Sequence, residues 1–419
     1  MDILLFRTVE LLMVAIVVAI IARRLSLPYT VGLVVAGVGL AIAHTGDAFT
    51  LTHDFIFDVI LPPLLFEAAL NIHWSELRDD LLPVLVLSTL GVAVSVAVVA
   101  LGLVLLLHWP VAAALIFAVL IAATDPIAVI ALFKDIGVKG RLRLLVESES
   151  LFNDGVAAVL FTIALSWAQT KGGGAPGSAA MIWSVLLTSW GGIAIGLLVG
   201  AAAVVVAGRS VDHLVETAVS AVAAYGSFLL AQRLNVSGVL ATVAAGLVIG
   251  TLGVRARPGR KSLLSERARD FMVAFWDFAA FIANSIVFLL IGATVAGFTF
   301  SRAALATIGI AIVLVLAGRA LTVYPLSLPF AASRWRIPYK EQHVLWWGGL
   351  RGALALALAL ALPVTLPYRG EILLTTFGVV VFSVIVQGLS MPLLLRLLGY
   401  KPTASLAPEL KNASMAPDR

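Results

Sequence analysis

The chain has no cysteine in 419 residues, and Asp, Glu, Lys and Arg together make only 12% of it, about half the ~25% usual in a soluble domain. Without cysteine there is no disulfide framework and no thiolate metal site, and nothing reports the redox state of its compartment. Charge this sparse cannot clothe a soluble surface. Long polar stretches are missing too. The longest are the Gly/Pro-rich residues 171–178, residues 255–270, and a tail after Gly399 that is too short to fold alone. Met1 to Ile21 lacks a basic leader and a small-residue cleavage site, so it is expected to remain as a first span and not to be removed as a signal peptide. The six histidines (His44, His53, His73, His108, His213, His343) sit at expected span ends with no metal-ligand spacing. No nucleophile triad or phosphate-cradling glycine loop occurs either, which argues against an enzyme and against a resident cofactor.

What is present is apolar sequence, 61% hydrophobic overall, in stretches of about 20 residues, the length that crosses a ~30 Å bilayer core. The expected fold is an all-α polytopic membrane protein with about 13 transmembrane helices, at 3–22, 29–45, 54–73, 81–107, 110–133, 143–168, 182–207, 212–232, 235–253, 271–298, 303–328, 341–362 and 370–398. On that reading 21 of the 28 basic residues fall on one side, five (Arg7, Lys171, Arg233, Arg302, Arg369) on the other, and two, Arg319 and Arg351, within spans. The positive-inside rule then places the N-terminus outside and the C-terminus in the cytoplasm. The net charge of +5 is thereby a topology signal with anionic lipid as its partner, and no nucleic-acid site is expected.

Two stretches repeat. Arg24-Leu25-Ser26-Leu27-Pro28 runs on to Ala36-Gly37, and Arg233-Leu234-Asn235-Val236-Ser237 runs on to Ala245-Gly246 with the same spacing of twelve from the arginine. They open the second and ninth spans from opposite sides, the mark of an inverted-topology repeat. Repeat one covers about 1–168 and repeat two about 212–398 of a single transporter unit over 1–400, with 401–419 a short cytoplasmic tail. The repeat makes spans 5 and 12 counterparts. Span 5 carries Thr124-Asp125-Pro126, and span 12 carries Gly348-Gly349-Leu350-Arg351-Gly352. Both weaken a helix and both hold a charge, so two broken helices are expected to meet at mid-membrane. One supplies an acid and helix-end carbonyls, the other a cation that offsets helix-end dipoles.

The acids are the costly residues, at roughly 2.5–3.5 kcal/mol for one at mid-membrane. In span 6, Glu147, Ser150 and Asp154 share one helical face. Asp154 with the Ser150 hydroxyl can offer hard oxygen ligands to a small monovalent cation. Glu149 is turned about 140° away, and the buried Arg319 of span 11 is its natural ion-pair partner. Glu147 lies near the cytoplasmic end. Glu67, after Pro62-Pro63 in span 3, is either a second acid near Asp154 or a structural hydrogen-bonding group.

Taken together, Phe66-Glu67, Ala123-Thr124-Asp125-Pro126, Glu149 through Gly155, and Gly348 through Gly352 resemble the monovalent cation:proton antiporter family of sodium/proton exchangers, the branch shared by prokaryotic and animal members. The resemblance runs along residues 1–400. It implies Na+ bound at Asp154, with Asn153 beside it, Thr124 and Asp125 across from it, and Ser150 and Glu67 around the ion. It also implies a Glu149–Arg319 bridge, and a homodimer in which a core of spans 4–6 and 11–13 moves against a scaffold of the remaining spans. Asn153, where an electrogenic branch has a second aspartate, implies one-for-one exchange, and a bacterial inner membrane is the expected location. Li+ or K+ in place of Na+, and, from other classes, a cation channel or a membrane sensor, are the alternatives. The tail lacks the long regulatory region of animal exchangers.

Overall fold

A computed structural model describes residues 2–25, 28–43, 54–169, 178–210, 212–254 and 264–400. Of the positions singled out above, Ser26, Leu27, His44, His53, Lys171, the first part of the stretch 255–270 and the tail after 400 lie outside these, as does the side chain of Arg7. The described residues are helical throughout, joined by short turns. The first helices are α1 (Asp2–Leu25), α2 (Tyr29–Ala43), α3 (Leu61–Asn71), a single turn α4 (Trp74–Leu77) and α5 (Leu81–Leu107). Next come α6 (Val111–Leu120), α7 (Ile127–Ile136), α8 (Arg141–Gln169), α9 (Ser178–Ala207), α10 (His213–Arg233), α11 (Gly238–Val248) and α12 (Glu266–Ala296). The last are α13 (Arg302–Ser327), α14 (Tyr339–Trp347), α15 (Ala353–Leu360), α16 (Arg369–Phe382) and α17 (Gly388–Leu397). Among the described residues seven helices are long and apolar enough to cross a membrane, so the chain is an all-helical polytopic membrane protein.

Among the described residues each apolar stretch expected to span is helical, with π-helical turns at Phe55–Ile60, Ile249–Val254 and Ser383–Gln387, and two departures have local causes. A π-helical turn, Phe55–Ile60, leads into α3. Pro62 and Pro63 lack the N–H groups that would bond the carbonyls of Asp58 and Val59 in an α-helix. The Tyr225 hydroxyl donates to the Val59 carbonyl at 3.0 Å in their stead. The second departure is α4, a polar turn that links α3 to α5 and that apolar periodicity does not register.

The helices pack in two groups. In one, α2 lies along α12, and α11 packs on α9 and α3. In the other, α5 packs on α13, α6 and α8, while α15 packs on α16. Close approach in the first group requires glycine: a Cβ at Gly37 would sit 1.9 Å from the Leu289 carbonyl oxygen, and one at Gly292 2.0 Å from that of Val34. In an apolar solvent, where burial of greasy surface drives little, such backbone contact is what holds helices together. Gly246, at the position of the second repeated stretch that corresponds to Gly37, lies against α3 less tightly, where a Cβ would sit 2.8 Å from Ala69 Cβ and 3.0 Å from the Phe66 carbonyl oxygen. Two of the described histidines pack locally. His343 shares a 2.7 Å hydrogen bond with the Tyr324 hydroxyl, and His213 sits edge-on to Phe271.

Candidate functional site

Two of the expected spans are interrupted. Pro126 has no N–H and disfavours helical geometry at Asp125, so α6 ends at Leu120 and α7 starts at Ile127. Three glycines at 348, 349 and 352 separate α14 from α15. Breaking helices among apolar neighbours strands backbone donors and acceptors, which must find partners inside the protein.

Those partners are the residues that the sequence singles out. Arg351 is 2% exposed and its Nη1 donates to the carbonyls of Ala122 (2.6 Å) and Ala123 (3.1 Å), at the negative end of α6. Asn153 Nδ2 donates to Ala122 O at 3.0 Å and to Thr124 Oγ1 at 3.1 Å. Ser150 Oγ donates to Thr124 O at 2.6 Å and accepts from Thr124 Oγ1 at 3.1 Å. The Asp125 N–H donates to Leu350 O at 2.7 Å, a backbone bond that joins the two breaks. The Asp125 carboxylate accepts from Ile127 N–H at 3.0 Å and also faces the Ala353 N–H, so it meets the positive ends of both α7 and α15. Gly352 permits this: a Cβ there would lie 1.9 Å from Asp125 Oδ2. In the second break the Arg351 N–H donates to Ser383 Oγ at 2.7 Å.

Glu149 and Arg319 stand apart from this. Arg319 Nη1 and Nη2 each donate to one Glu149 carboxylate oxygen at 2.7 Å, a bidentate pair. Nε and Nη2 also donate to Leu345 O at 3.1 and 3.0 Å. The pair therefore ties α8 and α13 to the end of α14, and neither residue lines the cavity described next.

A cavity of about 80 Å³ is lined by Thr124, Asp125, Ser150, Asp154, Glu67 and Asn284 together with apolar neighbours. Asp154 lies on the face of α8 opposite the ion pair, and its Oδ1 is buried without a hydrogen-bond donor among the described residues. Glu67 Oε1 accepts from Asn71 Nδ2 at 2.6 Å, and Asn71 also reaches Asp277 Oδ1 at 3.5 Å. Glu147, half-buried and paired with Arg143 at 2.8 Å, lines the cavity farther along α8. The arrangement is one of hard oxygen groups around one carboxylate with an unmatched oxygen, which suits a small cation or a proton. No cluster of three or more His, Cys, Asp or Glu that could hold a resident metal occurs among the described residues.

A family model described as sodium/hydrogen exchanger, transmembrane, matches residues 12–397. The chain belongs to the sodium/hydrogen exchanger family. It is 38% identical over 377 residues to the Na(+)/H(+) antiporter ApNhaP of Aphanothece halophytica, covering 89% of this chain and 70% of that one. It is 36% identical over 404 residues to the low-affinity Na(+)/H(+) antiporter NhaS1 of Synechocystis, covering 93% and 74%. The solved sodium proton antiporter MjNhaP1 of Methanocaldococcus jannaschii superposes with a TM-score of 0.73 at 20% identity, over 95% of this chain and all of that one. This exchanger is a secondary transporter, an Na+/H+ antiporter, and not an enzyme.

Of the residues expected at the site, the exchanger's structure gathers Asp154, Asp125, Thr124, Ser150 and Glu67 at the cavity. Asn153 and Arg351 brace the first break, and Glu149 pairs with Arg319. Sequence reasoning passed over Asn284, Asp277 and Asn71. A signal was available: Asp277 and Asn284 are seven apart on one face of α12, and Asn71 is one turn from Glu67.

Proposed function

We propose that this exchanger swaps Na+ or Li+ for H+ one for one by alternating access, with proton and cation competing for Asp154. The observation that supports this most is the buried Asp154 Oδ1 with no donor, at a cavity walled by hydroxyl, carboxylate and amide oxygens. A bare carboxylate moved through low dielectric is costly, while a protonated or cation-bound one is neutral. Only the occupied site then crosses between the two states, and the two fluxes are coupled with no further energy source. The other charged groups nearby have partners: Glu149 in Arg319, Asp125 in two helix N-termini, Arg351 in helix-end carbonyls and Glu67 in the Asn71 amide. Asn153 adds no second acid. One titrating carboxylate gives electroneutral exchange.

In this reading the α5–α8 and α13–α17 group is the moving core, and the group containing α1–α3 and α9–α12 is the scaffold through which a homodimer forms. Thirteen spans make two inverted repeats, about 1–168 and 212–398, with the broken pairs α6/α7 and α14/α15 crossing at mid-membrane. The N-terminus is outside, the C-terminus cytoplasmic, and the membrane is the plasma membrane of a bacterium. The test is purified protein in proteoliposomes with an acidic lumen and a trapped pH dye, with Na+, Li+ or K+ added outside. Cation-driven alkalinisation that is insensitive to membrane potential and lost in Asp154→Asn is the expected result. A folded wild-type protein that responds to no cation would overturn the reading.

A further inference from the structure

The mechanism above leaves two polar residues of the Asp154 cavity without a role. They are Glu67 of α3 and Asn284 of α12. Asn284 is 7% exposed, and its Oδ1 has no hydrogen-bond donor among the described residues. Buried polar groups are nearly always partnered, because the water they give up must be replaced. An aliphatic side chain could fill the same place with no such cost. The neighbouring Ser285 shows what a structural polar residue on α12 looks like: it bonds to the Tyr29 hydroxyl and donates to the Phe281 carbonyl at 2.5 Å. Asn284 instead lines the cavity that holds the other unmatched acceptor, Asp154 Oδ1. Two buried acceptors without donors, on residues that line one small cavity, are the complement of a cation.

We propose that Asn284 is a specificity-determining ligand of the transported cation, its amide oxygen completing the shell that Asp154 begins, directly or through one water. The proposal rests on the reading of Asp154 as the ion carboxylate and goes beyond it in two ways. First, an amide oxygen coordinates a metal cation but takes up no proton in the working pH range. Asn284 therefore biases the competition toward the cation without altering proton affinity. Second, α12 and α8 belong to the two helix groups that shift against each other in the proposed cycle. The amide is a ligand only in the state in which this cavity faces its own side, the Glu147 end of α8, and the cation loses that ligand on crossing.

The test compares everted and right-side-out membrane vesicles from cells without other antiporters, using Na+ as the probe at a series of fixed pH values. Asn284→Ala is expected to raise the apparent KM for Na+ about tenfold from the cytoplasmic face. From the other face KM should stay within about twofold of wild type, as should the maximal rate on both. The isosteric Asn284→Asp retains an oxygen in the same space, so at alkaline pH, where KM no longer varies with pH, its KM should not exceed that of the wild type. An unchanged cytoplasmic KM in Asn284→Ala, a rise equal on both faces, or a KM in Asn284→Asp raised at alkaline pH would each overturn the proposal. A merely structural role would lower folded yield and maximal rate together and leave KM alone. Asp154→Asn, run in parallel, separates the two layers. Wild-type exchange in Asp154→Asn refutes the parent reading, whereas its inactivity beside an unaltered Asn284→Ala refutes only the role of Asn284.

Discussion

Glu149 and Arg319 are 2% and 6% exposed and joined by two 2.7 Å bonds, so neutralising one should strand the other as a buried charge. The cost of breaking such a pair is about 3–5 kcal/mol. Arg319 also holds the Leu345 carbonyl through Nε and Nη2, and Gly349 packs close against its guanidinium. Arg319→Gln should therefore cost somewhat more than Glu149→Gln, by the ~1 kcal/mol of a lost hydrogen bond. The double variant removes both charges together, and its loss should fall short of the sum of the singles by at least ~2 kcal/mol. Reversible unfolding in mixed micelles, titrated with a denaturing detergent, measures the four corners of this cycle. Because neither residue lines the Asp154 cavity, the double variant should still exchange with a KM for Na+ within about threefold of wild type, assayed below its unfolding midpoint. Single-variant losses that add to within ~0.5 kcal/mol would refute the buried pair. A stable double variant that no longer transports would refute its purely structural role.

Three further outcomes are expected. Competition at one carboxylate makes the apparent KM for Na+ rise about tenfold per pH unit on the acid side of the site's titration and level off on the alkaline side, with the maximal rate at saturating Na+ unchanged; a KM that does not move with pH would rule out competition. Gly352→Ala forces a Cβ to 1.9 Å from Asp125 Oδ2, and should displace that carboxylate and reduce exchange more than about tenfold, as dye-monitored transport in proteoliposomes can show. Gly292→Val, far from the cavity, should instead lower the yield of folded protein on size-exclusion chromatography, since even a Cβ there would sit 2.0 Å from the Val34 carbonyl; yield and elution indistinguishable from wild type would show that α2 and α12 can separate at no cost.

Much of this protein was legible in its sequence because a bilayer punishes error so heavily. Apolar runs of spanning length have to become helices, and the stretch 81–107 coincides with α5 residue for residue. Proline at 126 and the glycines at 348–352 mark the two breaks through backbone chemistry alone. A 100° turn per residue separates Glu149 from Asp154 before any neighbour is known. Tertiary structure decided which groups those residues meet. Arg351 lies on the carbonyls of Ala122 and Ala123, more than two hundred residues away along the chain. Asp125 joins the second break through Leu350, and Asn284 faces the cavity that Asp154 lines. Local sequence sets where a helix must stop and which face carries charge, because those depend on neighbours within a turn. Which helix then answers an orphaned carbonyl depends on how close two backbones come, and in this chain that is decided by glycines such as Gly37, Gly292 and Gly352 meeting partners from distant segments.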